Sequence, residues 1–335
     1  MPVSVLICDD SSMARKQLAR VLPADLDIIV EFAANGQEAL DQIRLGKGEV
    51  LFLDLNMPVM DGYETLAEIQ RAHLSSSVIV VSGDIQPEAR RRVIELGARD
   101  FIKKPVSAGQ LAEIIIKYGL RKNYEGQNNI NLSTQREVSA IRVEEWDVYR
   151  ELANVAMGRA ASLLARKLGV FVKMPIPTVN LIEIGELRMA LHSTEQASVS
   201  AVCQGFIGAQ IAGEALLLFH DSSFRDIARL MRYRGTLNPS VELELLMDVG
   251  NILIGAWLKG LAEQLDISFS QGHPIILGQH CLVSDLFNTN AARWKKLLAV
   301  DITYTVENHQ IDCDLLILFS EDSFVALRKK ASYLF

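Results

Sequence analysis

The 335-residue sequence is poor in cysteine and has no basic block, and each shortage excludes a class of protein. The four cysteines lie at positions 8, 203, 281 and 313 without metal-ligand spacing, which favours free buried thiols in a reducing compartment. The formal net charge is −7, and the arginines at 90–92 lie in a helical pattern beside Glu88 and Glu95, as on a solvated helix face. Nucleic acid is therefore not expected as a partner, because phosphate binding needs clustered Lys and Arg.

Long apolar runs are also lacking. No stretch of the sequence is expected to supply the ~20 apolar residues of a membrane span. Met1 leads into a predicted strand without a basic leader segment. We therefore expect a cytoplasmic protein with no membrane partner, and a length that suggests two or three domains.

Residues 3–118 alternate five times between a short apolar run and a helical pattern. The predicted strands are 3–8, 28–30, 50–53, 78–81 and 100–102, and the predicted helices are 13–22, 37–44, 61–72, 87–96 and 108–118. Such alternation predicts an α/β domain with a doubly wound, five-stranded parallel sheet.

Polar residues follow the ends of these strands, where open α/β sheets bind their ligands. They are Asp9, Asp10, Asp54, Ser82 and Lys104. Three converging carboxylates favour a hard cation such as Mg²⁺, and a lysine with a hydroxyl suits an anion that joins the metal. The pattern indicates phosphoryl transfer with Asp54 as nucleophile. Capping of strand ends would explain one or two of the acids but not all five residues.

Residues 3–120 resemble a response-regulator receiver domain of the CheY type. The motifs are Ile7–Arg15, Leu53–Gly62 and Lys104–Pro105. The resemblance implies that a histidine kinase or a small phosphodonor phosphorylates Asp54. It also implies a Mg²⁺ site and a set of phosphoryl contacts. The metal ligands would be Asp9, Asp10, Asp54 and the Asn56 carbonyl, and the phosphoryl-binding and switch residues Ser82, Lys104 and Phe101. From the sequence pattern alone, Phe101 is equally an ordinary core aromatic.

The remaining chain divides into a linker and a second domain. We expect domains at 1–120 and 144–335, joined by a polar linker at 121–143. The second domain should open with a helix from about Val143 to Leu168. Extended stretches punctuated by Gly205, Gly208 and Gly213 follow, which predicts a largely antiparallel sheet in an α+β fold. These stretches are 179–184, 187–191, 197–203, 206–211 and 215–219. A second long helix should begin at Asn238-Pro239.

Three polar residues of the first long helix, Asp147, Glu151 and Asn154, form what we call the first ridge. Their spacing of i, i+4 and i+7 keeps them within about 40° of one line along a helix. The second ridge, Glu244, Asp248 and Asn251, has the same spacing 97 residues later. A proline follows each asparagine after 23 residues, at 177 and 274. The second domain is therefore an internal duplication, with halves at about 144–235 and 238–330.

The chemistry of a ridge depends on an amide and an acid on one helix face. Asparagine has no useful pKa and can only orient a reactant, while the acid one turn away can engage a lysine. From the residues alone, a ridge either solvates a helix edge or enters an active site and promotes hydrolysis of an acyl phosphate by positioning. The histidines at 192, 220, 273, 280 and 309 share no spacing and are expected to be ordinary.

Residues 144–330 resemble the CheC/CheX/FliY phosphatase family, and the duplication is similar to a pseudo-twofold CheC. The family signature is Asp or Ser, three residues, Glu, two residues, Asn, then Pro after twenty-two residues. The first ridge matches every position, whereas the second has Glu244 and Asp248 in the acidic positions. The resemblance implies that Glu151 and Asn154 are catalytic, and that Asp248 and Asn251 form a second site that is weaker or inactive. A CheD-like partner or self-association is also implied.

Two functions remain open from the sequence. In one, the protein hydrolyses the aspartyl phosphate of a phosphorylated CheY-type response regulator and is regulated through its own Asp54. In the other, the duplicated domain is a non-catalytic binding module and Asp54 is a phosphate sink. The substrate is either this Asp54 or that of another protein, since a flexible linker at 121–143 would span roughly 25 Å.

Overall fold

A computed structural model describes residues 2–23, 27–118, 144–183, 198–282, 286 and 296–332. Contacts divide the chain into a first unit, Met1–Glu151, and a second unit, Leu152–Tyr333. Helix α6, Glu145–Leu168, begins in the first unit and continues into the second. The predicted linker at 121–143 lies outside the described residues, as does the stretch at 187–191.

The first unit is built on a five-stranded parallel sheet in the order β2-β1-β3-β4-β5. The strands are β1 Val3–Cys8, β2 Ile28–Ala33, β3 Val50–Leu53, β4 Ser77–Ser82 and β5 Asp100–Lys103. The helices are α1 Ser12–Val21, α2 Gly36–Arg44, α3 Gly62–Arg71, α4 Pro87–Glu95 and α5 Ala108–Lys117. This confirms the predicted doubly wound α/β sheet.

Local sequence explains why the first unit's helices begin where the strands have just ended. Ser11 caps α1, Asn35 caps α2, and Asp61 forms a reciprocal capping box with Glu64 at α3. The strands are buried on both faces, because two separate apolar clusters pack on either side of the sheet. All polar residues that follow the strands are thereby directed to one edge of the sheet.

The second unit contains an eight-stranded sheet whose described pairings are all antiparallel. Its strands are β6 Val172–Lys173, β7 Thr178–Glu183, β8 Val199–Gly208, β9 Ile211–His220, β10 Ser270–Gln271, β11 Ile275–Cys281, β12 Lys296–Val306 and β13 Asp312–Ser320. Its further helices are α7 Phe224–Leu230, α8 Pro239–Leu265 and α9 Ser323–Ala331.

Strands β9 and β13 pair at the centre of this sheet with a symmetric register. Phe219 pairs with Cys313, and Phe319 pairs with Gly213. Because Phe219 and Phe319 are 100 residues apart, as are Gly213 and Cys313, the two pairings are equivalent under a local twofold rotation. The register therefore follows the duplication seen in the sequence.

The two halves of the duplication exchange their outer strands. β6 and β7 come from the first half but pair with β12 of the second half. β10 and β11 come from the second half but pair with β8 of the first half. Neither half therefore contains the partners that its own outer strands need.

The prediction that strands end at Gly205 and Gly213 is wrong. We expected separate strands at 197–203 and 206–211, but β8 runs through Gly205 without interruption, and Gly213 lies inside β9. A Cβ atom on Gly213 would come within 2.2 Å of the Leu318 carbonyl oxygen. This glycine permits a close approach of two strands instead of ending one.

Helix α8 corrects the expectation that no segment is apolar enough to span a membrane. Its 27 residues, Pro239–Leu265, are long and apolar enough by composition. However, 67% of its most apolar window is buried inside the protein, and Trp257 is among its fully buried side chains. The helix has the burial of a core helix, which explains its apolar character.

Candidate functional site

Three carboxylates converge at the carboxyl edge of the parallel sheet. Asp9 and Asp10 directly follow β1 and Asp54 follows β3, and these strands are neighbours. One ligand oxygen from each lies within 4.8 Å of the other two. An oxygen-only donor set of this kind fits a hard divalent cation such as Mg²⁺. Asp54 Oδ2 accepts a hydrogen bond from the Asn56 backbone N–H at 2.9 Å, which places Asn56 beside the cluster.

Lys104 is the cation that the structure places among these acids. It follows β5, and its Nζ lies 2.7 Å from Asp9 Oδ2 and 3.1 Å from Asp54 Oδ1. The lysine side chain is only 5% exposed. Burial alone would lower the pKa of Lys104, but Asp54, Asp9 and Glu151 together raise it well above its ordinary value. The lysine is therefore held as a buried cation, suited to binding an anionic group.

Burial raises the pKa values of Asp9 and Asp10. Burial, opposed by Lys104, raises the pKa of Asp9 to about 7, and neighbouring Asp54 and Glu151 add to the rise. Burial and repulsion by Asp9 and Asp54 likewise raise the pKa of Asp10 to about 7. The positive charge of Lys104 does not neutralise the negative charges of these carboxylates. A divalent cation bound here would therefore be favourable electrostatically.

Ser82 and Phe101 stand at neighbouring strands of the same edge. Ser82 is fully buried, and its Oγ accepts a hydrogen bond from the Asp84 N–H at 3.1 Å. The Lys104 N–H donates to the Ser82 carbonyl at 2.9 Å, so the two residues are adjacent through their backbones. Phe101 is half-buried and packs against the apolar cluster on one face of the sheet. The roles of both residues remain predictions.

The acid of the first ridge belongs to the same cluster. Glu151 Oε1 lies 3.2 Å from Lys104 Nζ, and the Glu151 side chain is 7% exposed. Burial raises its pKa, while the charge of Lys104 opposes the rise. One turn earlier, Ser12 Oγ donates a hydrogen bond of 2.5 Å to Asp147 Oδ2. Within the first unit, two residues of the first ridge thus make contacts, Glu151 with Lys104 after β5 and Asp147 with Ser12 at the start of α1. Sequence spacing alone did not establish this proximity.

The two ridges differ in exposure. Asn154, the third residue of the first ridge, is buried, and its Oδ1 has no hydrogen-bond partner among the described residues. The second ridge lies on α8, and its three members are exposed. The structure therefore gives the two copies different surroundings as well as different acids.

A second cluster of titratable groups surrounds His280 in the second unit, and the sequence did not indicate it. His280 Nδ1 lies 2.8 Å from Asp221 Oδ2, and its Nε2 lies 2.9 Å from Glu242 Oε2. Hydrogen bonding to Asp221 raises the pKa of His280, although the remaining burial opposes the rise. Ser200 Oγ donates to Asp221 at 2.7 Å. Both imidazole nitrogens face carboxylates, so this imidazole is not arranged to take a proton from the serine.

Comparison with known proteins agrees with the geometry of the first unit. A family model described as the response regulator receiver domain matches residues 5–116. A protein-glutamate methylesterase/protein-glutamine glutaminase of Geobacter sulfurreducens is 31% identical over 161 residues, which make up 48% of this chain and 41% of that protein. The chain thus spans less than half the length of this curated relative.

Solved structures show similar partial matches. A CheY-like receiver domain protein from Methanospirillum hungatei JF-1 is 28% identical, with a TM-score of 0.33, and the match covers 36% of this chain and 94% of that one. FliY of Thermotoga maritima is 18% identical, with a TM-score of 0.44, and covers 58% of this chain and all of its own. Neither score establishes the fold of the whole chain. Together with the parallel sheet and its acidic edge, the family match shows that residues 5–116 are a response-regulator receiver domain.

Proposed function

We propose that this chain is a cytoplasmic response regulator that hydrolyses the aspartyl phosphate of a CheY-type receiver. In this proposal a histidine kinase or a small phosphodonor phosphorylates Asp54, and phosphorylation regulates the chain. The observation that carries the proposal is the 3.2 Å ion pair between Glu151 and Lys104. It brings the acid of the first ridge to the lysine of a receiver's acidic edge.

The receiver residues would prepare the phosphoryl group for attack. Lys104 lies 3.1 Å from Asp54 Oδ1, close enough for its ammonium to contact phosphoryl oxygens carried on that carboxylate. Asp9, Asp10, Asp54 and the Asn56 carbonyl would hold Mg²⁺, which supplies positive charge to neutralise the transferred group. Ser82 would offer its hydroxyl from the neighbouring strand.

The ridge residues would act by positioning. Glu151 binds the lysine and so fixes the first ridge relative to the bond to be broken. Asn154 follows one helical turn later, and its buried amide oxygen has no donor in the part of the chain that the structure describes. A water that donates a hydrogen bond to this oxygen would be oriented for attack on phosphorus, as positional catalysis of an activated acyl phosphate requires.

The second ridge would have a lesser part in the reaction. Asp248 is one methylene shorter than glutamate, and a displacement of about 1 Å can cost a hundredfold in rate. The exposed side chains of Asp248 and Asn251 nevertheless leave this ridge open to a separate protein. We propose a weaker second site there, reached only by a partner receiver.

Two other functions have less support. The match to the methylesterase relative covers only 48% of this chain. In the grouping of Ser200, Asp221 and His280 both imidazole nitrogens face carboxylates, so the imidazole is not arranged to activate the serine. A non-catalytic binding module would explain the Glu151–Lys104 contact equally well, and only kinetics separate it from a phosphatase. We favour the phosphatase because the first ridge combines the acid with an unsatisfied amide.

The decisive experiment follows the decay of a separate phosphorylated CheY-type receiver after adding the full chain. Wild type should accelerate the decay, and Asp248→Ala/Asn251→Ala should remove the part that the second ridge contributes. Glu151→Ala/Asn154→Ala should remove any contribution of the first ridge, measured both on this receiver and on the phosphate of the chain's own Asp54. If none of the three proteins changes the decay rate, and if the phosphate on Asp54 is also as long-lived in wild type as in Glu151→Ala/Asn154→Ala, the chain is not a phosphatase.

A further inference from the structure

In the first unit, Glu151 is buried beside the acids at the carboxyl edge of the parallel sheet. Lys104 Nζ is shared by Asp9, Asp54 and Glu151, at 2.7, 3.1 and 3.2 Å. The side chains of all four residues are at least nine-tenths buried. Glu151 therefore occupies a contact of Lys104 that a ridge from any other molecule would have to displace.

A second contact fixes the position of this helix turn. Asp147 Oδ2 accepts a 2.5 Å hydrogen bond from Ser12 Oγ, and Ser12 is the first residue of α1. Asp147 and Glu151 are four residues apart, or about 6 Å along the helix. Two such contacts, one at α1 and one after β5, determine both the rotation and the axial position of the turn. A single surface ion pair would determine neither.

The same contacts make the first ridge unavailable to a separate receiver. Glu151 is 5% exposed and Asp54 is 1% exposed. In contrast, Asp248 of the second ridge is exposed. The two copies of the duplicated motif thus differ in how open they are to a separate protein.

We propose that the first ridge serves the chain's own Asp54, so that this receiver is dephosphorylated in cis. This inference rests on the proposed function and names its substrate. A water oxygen bonds to phosphorus, and the bond between phosphorus and the Asp54 oxygen breaks with its electron pair left on the carboxylate. Both water protons leave on the product, H₂PO₄⁻. Glu151 is a positioning residue in this step because it acts through Lys104.

The reaction order tests the proposal. The full chain is phosphorylated at Asp54 with acetyl phosphate and Mg²⁺, the donor is removed, and the remaining phosphoprotein is measured over a wide range of protein concentration. Wild type should decay with one rate constant at every concentration. The Glu151→Gln phosphoprotein should decay about tenfold more slowly than wild type, because the ridge loses its ion pair with Lys104. Glu151→Asp should recover part of the rate, and Glu144→Gln, which removes the charge of an exposed acid just before α6, should match wild type.

Mixing experiments separate the failure of cis action from the failure of the phosphatase itself. An excess of an unphosphorylated chain that carries Asp54→Ala together with Asp248→Ala/Asn251→Ala, and so keeps only the first ridge, should not accelerate decay of the Glu151→Gln phosphoprotein. Acceleration in that mixture, or a wild-type rate that rises with concentration, would overturn cis action while leaving the phosphatase intact. Equal decay of wild type and Glu151→Gln also overturns it. In that case, acceleration of a separate phosphorylated receiver by wild type would preserve the proposed phosphatase function. If wild type did not accelerate that decay, the phosphatase function would be rejected together with cis action.

The rate at which Asp54 is phosphorylated tests independently whether Glu151 occupies its position beside Lys104. Glu151 occupies a contact of Lys104 beside the buried Asp54, and Ser12 holds the same helix turn through Asp147. Ser12→Ala and Glu151→Gln should therefore both speed phosphorylation by acetyl phosphate. Glu144→Gln should not. A rate unchanged by both substitutions would mean that the ridge does not occupy this position in solution, and cis action would be rejected.

Discussion

Gly260 offers a test of how closely the two ridge helices must pack. In the second unit, a Cβ on Gly260 would come within 2.9 Å of Ala156 Cα and 3.2 Å of Ala156 Cβ. Ala156 lies on α6, two residues after Asn154. Alanine at position 260 would therefore push against backbone, which cannot rotate out of the way. The same substitution at Gly255, also on α8, meets nothing within 4 Å.

The two substitutions should have opposite effects on stability. Either alanine gains up to about 1 kcal/mol of helix propensity over glycine. Overpacking at position 260 should cost about 1–3 kcal/mol, so Gly260→Ala should be destabilised overall. Gly255→Ala should be stabilised by about 0.5–1 kcal/mol. Because propensity cancels between the two variants, the difference in their free energies of unfolding measures the clash alone.

Urea denaturation followed by the fluorescence of Trp257, which is buried on α8, would measure this difference. Dephosphorylation should fall severalfold in Gly260→Ala, because moving α6 by even part of an ångström displaces Asn154. Gly255→Ala should keep the wild-type rate. Equal stability of the two variants would refute the close approach of the helices, and a normal rate in a destabilised Gly260→Ala would refute its link to catalysis.

Three further predictions concern charged groups. Lys104→Met leaves several buried carboxylates without their cation, so the first unit should lose about 3–5 kcal/mol of stability and recover part of it when Mg²⁺ is added; thermal unfolding with no loss would contradict this. Asp10→Asn should weaken Mg²⁺ binding about tenfold or more in a calorimetric titration, and unchanged affinity would exclude Asp10 as a ligand. Hydrogen bonding to Asp221 raises the pKa of His280. The stabilisation of the folded state by protonated His280 should therefore be complete below about pH 6.5 and lost as pH rises through the raised pKa. Melting temperatures across pH should show a flatter profile in His280→Ala, and an unchanged profile would contradict this.

The receiver fold could be predicted because its signals are local. Each apolar run of four to six residues forms a strand, and parallel strands must end at one edge. Asp9, Asp54 and Lys104 follow three such ends, so their meeting follows from topology. The contact between Glu151 and Lys104 does not, since no local pattern relates residues 47 apart across a polar linker.

The second unit was less predictable for reasons of packing and pairing. Gly213 looks like a strand break in the sequence, but it is required by the close approach of the Leu318 backbone. The His280 cluster joins residues 38 and 59 positions apart, which no spacing rule detects. A duplicated sequence also fits pairing within each half as well as pairing between halves, so the exchange of strands needed the structure.

The exchanged outer strands have an evolutionary consequence. A half-length ancestor with the same pairings would have had no partner for its outer strands within its own chain, and two copies would have completed one sheet. Its two ridges would then have been identical by symmetry. Fusion of the two copies into one chain keeps the sheet and removes that constraint, so each ridge is free to change alone. The glutamate at position 151 and the aspartate at position 248 are such a difference between the two ridges.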